Sequence, residues 1–193
     1  MARTPSTFFL NYGDSAPDFD LQDPQGKSFN LGSFVGSQGL LVMFLSNHCP
    51  FVKLLKTELS DLCHKYSEKG IASVAIMSND IENYPDDRPE LMAEDSKEFN
   101  YPFPYLYDPT QEVAKAYGAA CTPDFFLFDK SHKLYYMGQF DDARPGGATK
   151  VTGDDMRRAF DSLLEGIPLD FDPKPSLGCN IKWIKGNEPE YYG

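Results

Sequence analysis

At 193 residues, with 41% apolar and 14% aromatic content, the chain can bury one sizeable core and is short for two. A formal net charge of -11 and a pI near 4.6, with no Lys/Arg cluster to reverse the balance locally, exclude nucleic acid as an expected partner. Phe8-Phe9-Leu10 is too short for a signal-peptide core and no run approaches the roughly 18 apolar residues of a membrane span, so the expectation is a cytoplasmic protein with no membrane partner.

The first eleven residues are mostly polar and read as a tail or an edge segment laid on the core. Phe19 and Leu21 alternate, a turn follows at Asp23-Pro24-Gln25-Gly26, and Phe29 and Leu31 alternate on the return, which predicts an N-terminal β-hairpin. The loop Gly36-Ser37-Gln38-Gly39 then delivers the chain to Leu40-Leu41-Val42-Met43-Phe44-Leu45, a continuously apolar run suited to a strand buried on both faces. After Pro50 the pattern changes: Leu55, Leu59, Leu62, Cys63 and Tyr66 fall three or four apart, predicting an amphipathic helix that ends near Lys69-Gly70. Cys49 therefore stands where strand becomes helix. There its sulfur faces the unpaired N–H groups and the positive dipole end of the helix, which favour thiolate, and Pro50 suits the first helical position because no N–H is needed there.

Ile71 to Met77 is the next buried strand, closing on the polar turn Ser78-Asn79-Asp80. Strand, helix, strand implies a right-handed crossover between parallel strands, whose carboxyl ends gather functional groups. The segment from Ile81 to Pro89 is acidic and reads as a surface loop before a helix from Glu90 to Phe99, with Leu91, Met92 and Phe99 inward. Asp86-Asp87, like Asp141-Asp142 further on, are read as solvated loop charges, with the alternative for the latter pair that it flanks the site or binds a cation. Two prolines restrict Tyr101 to Tyr107 to a short or edge strand. Asp108-Pro109-Thr110 starts a helix from Gln111 to Tyr117 that Gly118 ends. Cys121-Thr122-Pro123-Asp124 precedes the strand Phe125 to Asp129, and a proline at such a tight strand entry predicts a cis Thr122–Pro123 bond lying against Cys49. Lys130 to Lys133 turns the chain into a strand from Leu134 to Phe140. A last helix runs roughly from Thr152 to Glu165, with Met156, Phe160, Leu163 and Leu164 inward. Residues 1–166 are thus read as one domain and 167–193 as a tail whose apolar island, Leu177 to Trp183, docks on the body.

The four cysteines, at 49, 63, 121 and 179, form no Cys-x-x-Cys pair, so neither a zinc knuckle nor a disulfide scaffold is expected, and His48 beside Cys49 lacks a second ligand pair. Neither a metal nor another cofactor is called for. Cys63 is structural: along a helix it would lie about 21 Å from Cys49, against a limit of roughly 7 Å for a disulfide.

Gly13-x-x-Ala16-Pro17-Asp18-Phe19, the strand–Cys49–helix junction and Thr122-Pro123 before a strand together resemble the thioredoxin-fold superfamily, in its alkyl-hydroperoxide-reductase/thiol-specific-antioxidant (redoxin) branch, over residues 13–165. Asn47-His48-Cys49-Pro50-Phe51-Val52-Lys53, Cys121 to Phe126 and Gly178 to Trp183 further resemble a peroxiredoxin-like group within it. The resemblance implies an α/β, thioredoxin-like fold: a central mixed sheet flanked by helices, with the hairpin as an N-terminal extension and the tail docked. It makes Cys49 the attacking cysteine and Pro123 the cis-proline beside it. Two departures stand out. Val52 occupies the place of the second thioredoxin cysteine, and, although Ser46 fits the peroxiredoxin hydroxyl position, Val42 replaces that motif's proline and Pro123 falls about where its arginine would be.

The implied function is a thiol oxidoreductase in which Cys49 attacks a peroxide or a disulfide and another thiol resolves the product. An external thiol reductant is expected, and Cys121 and Cys179 are the resolving candidates within the chain. Cys121 is preferred because it lies two residues before Pro123, whereas Cys179 must be brought in by the tail. Ser46, Asn47, His48, Pro50, Thr122 and Pro123 would wall the site. Asn47 is read as holding its loop, and His48 either as facing solvent or as tuning the thiol. The alternative is a non-catalytic module that holds a partner segment in the groove beside Pro123. The acidity of Cys49 separates the two.

Overall fold

The computed structural model describes residues 3–192. Its centre is β4 (Gly39–Phe44), buried at every position because its alternate side chains serve two cores, Leu41 and Met43 on one face and Leu40, Val42 and Phe44 on the other. β4 runs parallel to β5 (Ile71–Met77) and antiparallel to β8 (Asp124–Asp129), which pairs in turn with β9 (Leu134–Gly138). On the far side β6 (Tyr105–Tyr107) lies parallel to β5 and touches the hairpin of β2 (Asp20–Gln22) and β3 (Ser28–Asn30). The seven-stranded order is β3-β2-β6-β5-β4-β8-β9, a mixed sheet with the predicted hairpin as its extension.

Helices cover both faces. α1 (Pro50–Ser67), α2 (Pro89–Glu98) and α4 (Asp154–Glu165) send Leu55, Leu59, Leu62, Tyr66, Met92, Met156 and Phe160 into the first core. α3 (Glu112–Tyr117) contributes Val113, Ala114 and Tyr117 to the second and ends on Gly118, whose φ of 65° is the left-handed conformation that glycine adopts without strain. One expectation is corrected. Leu91 is exposed, α2 meeting the core through Met92 instead. β6 is short, as expected from the prolines before it, and it is internal because Gln22 of β2 pairs with Tyr107.

The segment after α4 packs on the body. β10 (Leu177–Asn180) sits between β1 (Arg3–Pro5) and β7 (Cys121–Thr122) in a small antiparallel sheet, and Ile181 and Trp183 enter the second core. The early segment is thus an edge strand. Among the described residues no helix is long and apolar enough to cross a membrane.

Candidate active site

Cys49 is the N-cap of α1, with Pro50 at the first helical position and no solvent exposure. The bond between Thr122 and Pro123 is cis, and the Thr122 carbonyl lies 3.0 Å from the Cys49 sulfur. A carbonyl accepts from the thiol and resists the thiolate, but the groups around it favour ionisation. A hydrogen bond with the Cys179 side chain has the largest influence; burial opposes it; the Thr122 side chain and the N–H groups of Val52 and Cys179 add to it. Together they bring the Cys49 pKa down to about 5 from an ordinary 9.0. The same hydrogen bond between the two side chains, reinforced by burial, pushes Cys179 up. Cys63 lies on the core side of α1, where burial raises it to about 12, so it stays a thiol.

The docked tail thus brings Cys179, not Cys121, to the reactive sulfur. Cys179 is the register partner of Thr122, and residues opposite each other in a sheet share a face, whereas Cys121, one position earlier, points away. Cys121 is fully buried with its sulfur 3.5 Å from the Pro123 carbonyl, and burial followed by the nearby Asp124 charge holds it well above an ordinary thiol. The preference for Cys121 is therefore corrected: nearness in sequence to Pro123 placed it beside the site, but strand alternation turned it away.

The loop before Cys49 is organised by a residue that sequence reasoning assigned to solvent. Asp87 is completely buried. Its carboxylate accepts the Asn47 N–H at 2.7 Å, the Ser46 hydroxyl at 3.1 Å on both oxygens, and the Asn79 amide at 2.7 Å, and lies 2.7 Å from His48 Nδ1. Burial alone would raise its pKa, but the bonds and charge of His48 and the bond from Asn79 outweigh that and hold it below the ordinary value. Asn47 also donates its amide to the Asp86 carbonyl at 3.1 Å, so it holds its loop as expected. His48 does not simply face solvent: its side chain is 15% exposed and its ring stacks on Tyr84 at 5.7 Å and 11°. Asn79 then accepts the Lys182 N–H at 2.8 Å, tying this network to the tail. The signal that could have found Asp87 is its place just beyond β5, whose carboxyl end lies beside that of β4. Asp141 is also corrected: it is buried and accepts the N–H groups of Thr152 and Gly153 at 2.7 and 2.8 Å before α4, while Asp142 does lie at the surface, paired with Lys174.

β10 also occupies the edge of Thr122, where an extended partner segment would pair. The strand edge next to Pro123 is taken by the chain itself.

The family model described as AhpC/TSA matches residues 12–137. Thiol-disulfide oxidoreductase ResA of Bacillus thuringiensis subsp. konkukian (strain 97-27) is 28% identical over 129 residues, 65% of this chain and 68% of that protein. Two crystal structures, of a hypothetical protein from Sinorhizobium meliloti 1021 and of an uncharacterized conserved protein from Geobacillus kaustophilus, are each 49% identical with a TM-score of 0.92; both alignments cover 95% of this chain, with 100% and 97% of the respective proteins. Peroxidoxin BcpB from Mycobacterium tuberculosis shares the fold at a TM-score of 0.61 and 17% identity, over 82% of this chain and 98% of its own.

Proposed function

The chain belongs to the AhpC/TSA family and is a thiol oxidoreductase of thioredoxin-like fold, and on that premise we propose that Cys49 reduces a small hydroperoxide and that Cys179 resolves the product. The observation that carries this reading is the contact between the two sulfurs, one made acidic and the other kept protonated by the same hydrogen bond. Attack by the Cys49 thiolate on the terminal peroxide oxygen forms an S–O bond as the O–O bond breaks. The sulfur is oxidised to sulfenic acid and the peroxide is reduced to an alcohol. Cys179 then attacks that sulfur, a disulfide forms, and water leaves with the Cys179 proton. An external thiol reductant restores both cysteines.

A small oxidant fits better than a protein disulfide because Cys49 is fully buried and β10 covers the Thr122 edge that an extended chain would use. The same covering leaves a non-catalytic module less of the Thr122 edge on which to hold a segment beside Pro123. Disulfide exchange is the second reading, favoured by the names of the ResA relatives and by Pro123 standing where a peroxide-binding arginine is expected.

Stoichiometric alkyl hydroperoxide followed by non-reducing peptide mapping tests the assignment. A Cys49–Cys179 peptide is expected from the wild type and from C121S. A Cys49–Cys121 peptide would reverse the choice of resolving thiol, and oxidation by small disulfides but not by hydroperoxide would select the second reading.

A further inference from the structure

His48 and Asp87 are more elaborately placed than a loop tether requires. A buried carboxylate can only accept, so the nitrogen 2.7 Å from it, His48 Nδ1, carries the proton of that contact. Ser46 supports the arrangement, its hydroxyl lying 3.1 Å from both Asp87 oxygens and 3.2 Å from Nδ1. Tyr84 fixes the ring plane by stacking. Asp87 in turn is held by Asn79 and by the N–H of Asn47, so neither partner is free to rotate away. What remains unbonded by Asp87 is Nε2, on the edge of the ring away from it, in the residue that immediately precedes the reactive cysteine.

We propose that His48 donates the proton that the leaving group needs when Cys49 is oxidised, and that Asp87 is the positioning residue that holds His48 for this role. The inference rests on the hydroperoxide reading above. When the Cys49 sulfur takes the terminal OH of a hydroperoxide, two electrons pass from sulfur to the peroxide and an alkoxide departs. An alkoxide is a poor leaving group unless protonated as it leaves. In its doubly protonated form the ring supplies that proton from Nε2, alcohol is released, and the ring regains a proton from water. The contact at Nδ1 leaves Nε2 as the ring nitrogen through which the proton passes.

The prediction separates oxidants by leaving group. Cys49 oxidation is followed by rapid quenching with an alkylating reagent in the full-length protein, using tert-butyl hydroperoxide, whose alkoxide needs a proton, and peracetic acid, whose carboxylate does not. In H48A the rate with the hydroperoxide should fall by about 10²–10⁴-fold, the usual worth of a general acid, while the rate with peracetic acid stays within about twofold. Added imidazole should restore part of the hydroperoxide rate to H48A. D87N should show the same selective loss, smaller in size, and H48A keeps the measurement valid should D87N fail to fold. Equal slowing with both oxidants and no effect of imidazole would show that His48 only shapes the loop, and no slowing with either would overturn the proposal directly. A wild type inert to both oxidants would instead bring down the peroxidase reading, and this inference with it.

Discussion

Cys179 faces Thr122 across the antiparallel β7–β10 pair, and through that register its side chain reaches the sulfur of Cys49. A residue 130 positions away in sequence thereby becomes the main determinant of the acidity of the reactive thiol.

Alkylation of Cys49 should therefore reach half its limiting rate near pH 5, and the half-point should move upward in C179A, which removes the principal donor. The depressed value also has a stability consequence. Between about 5 and the unfolded value near 9 the unfolded chain binds the extra proton, so this group's contribution is full above pH 9 and is lost as pH falls through 5. Urea unfolding under reducing conditions should show the wild type gaining on C49S as pH rises across that window. A half-point at or above 8.5 in the wild type would remove the basis for a reactive thiolate.

Gly178 makes the β7–β10 approach possible. A Cβ there would stand 2.0 Å from the Thr122 carbonyl oxygen and 2.6 Å from its carbon, and backbone atoms cannot swing aside as a side chain can. G178A should lose roughly 1–3 kcal/mol, the usual cost of overpacking, because β10 must shift from its register. With it, Cys179 should leave Cys49, so the alkylation half-point should rise as it does in C179A. A stable G178A with unchanged thiol acidity would contradict the register argument.

The contrast between Cys49 and Asp87 shows what the chain discloses about itself. Cys49 was legible because its placement is local: an apolar run long enough for a central strand, a proline fit for the first helical turn, and an apolar stripe of helical period all lie within twenty-odd residues of it. The hairpin, α1, β5, α4 and the docked island were legible for the same reason. Asp87 was not, because its place beyond the carboxyl end of β5 does not by itself tell a buried acid from a solvated one; its partners Ser46, Asn47 and His48 are about forty residues away. Cys179 failed on a subtler point. Its docking was foreseen from Leu177, Ile181 and Trp183, but which sulfur meets Cys49 depends on a pairing register, and one step in register exchanges the two faces of a strand.

Asp87 should matter to folding as well as to chemistry. Replacing it with alanine leaves the Asn47 N–H, the Ser46 hydroxyl and the Asn79 amide without their acceptor in a buried place, a loss expected to cost about 3 kcal/mol. Its neighbour Asp86 is exposed, so D86A should stay within about 0.5 kcal/mol of wild type. Urea midpoints of the two variants at neutral pH check this. Near-equal destabilisation would mean that the network does not bear on stability.

Asp124 gives the opposite pH signature to Cys49. It is fully buried at the start of β8, beneath the segments that carry Ser6 and Ser176. Burial is the dominant influence and raises its pKa to about 7, against the pull of the neighbouring Ser176 and Ser6 hydroxyls and the N–H groups of Ala120 and Phe125. A carboxyl raised in the fold binds its proton there between the unfolded value of 3.8 and 7, while the unfolded chain has released it. Its contribution is therefore full below 3.8 and is lost as pH rises through 7. D124N has nothing to ionise and keeps an oxygen for the Phe125 N–H, which Asp124 Oδ1 accepts at 3.2 Å. Comparing the variant with wild type cancels the rising contribution of Cys49, since both carry that thiol. The stability of D124N relative to wild type should accordingly increase from pH 4 to pH 7 and stay level above that. Urea unfolding at half-unit steps of pH measures the difference, and two curves that run parallel across the range would show that Asp124 titrates as an ordinary carboxylate.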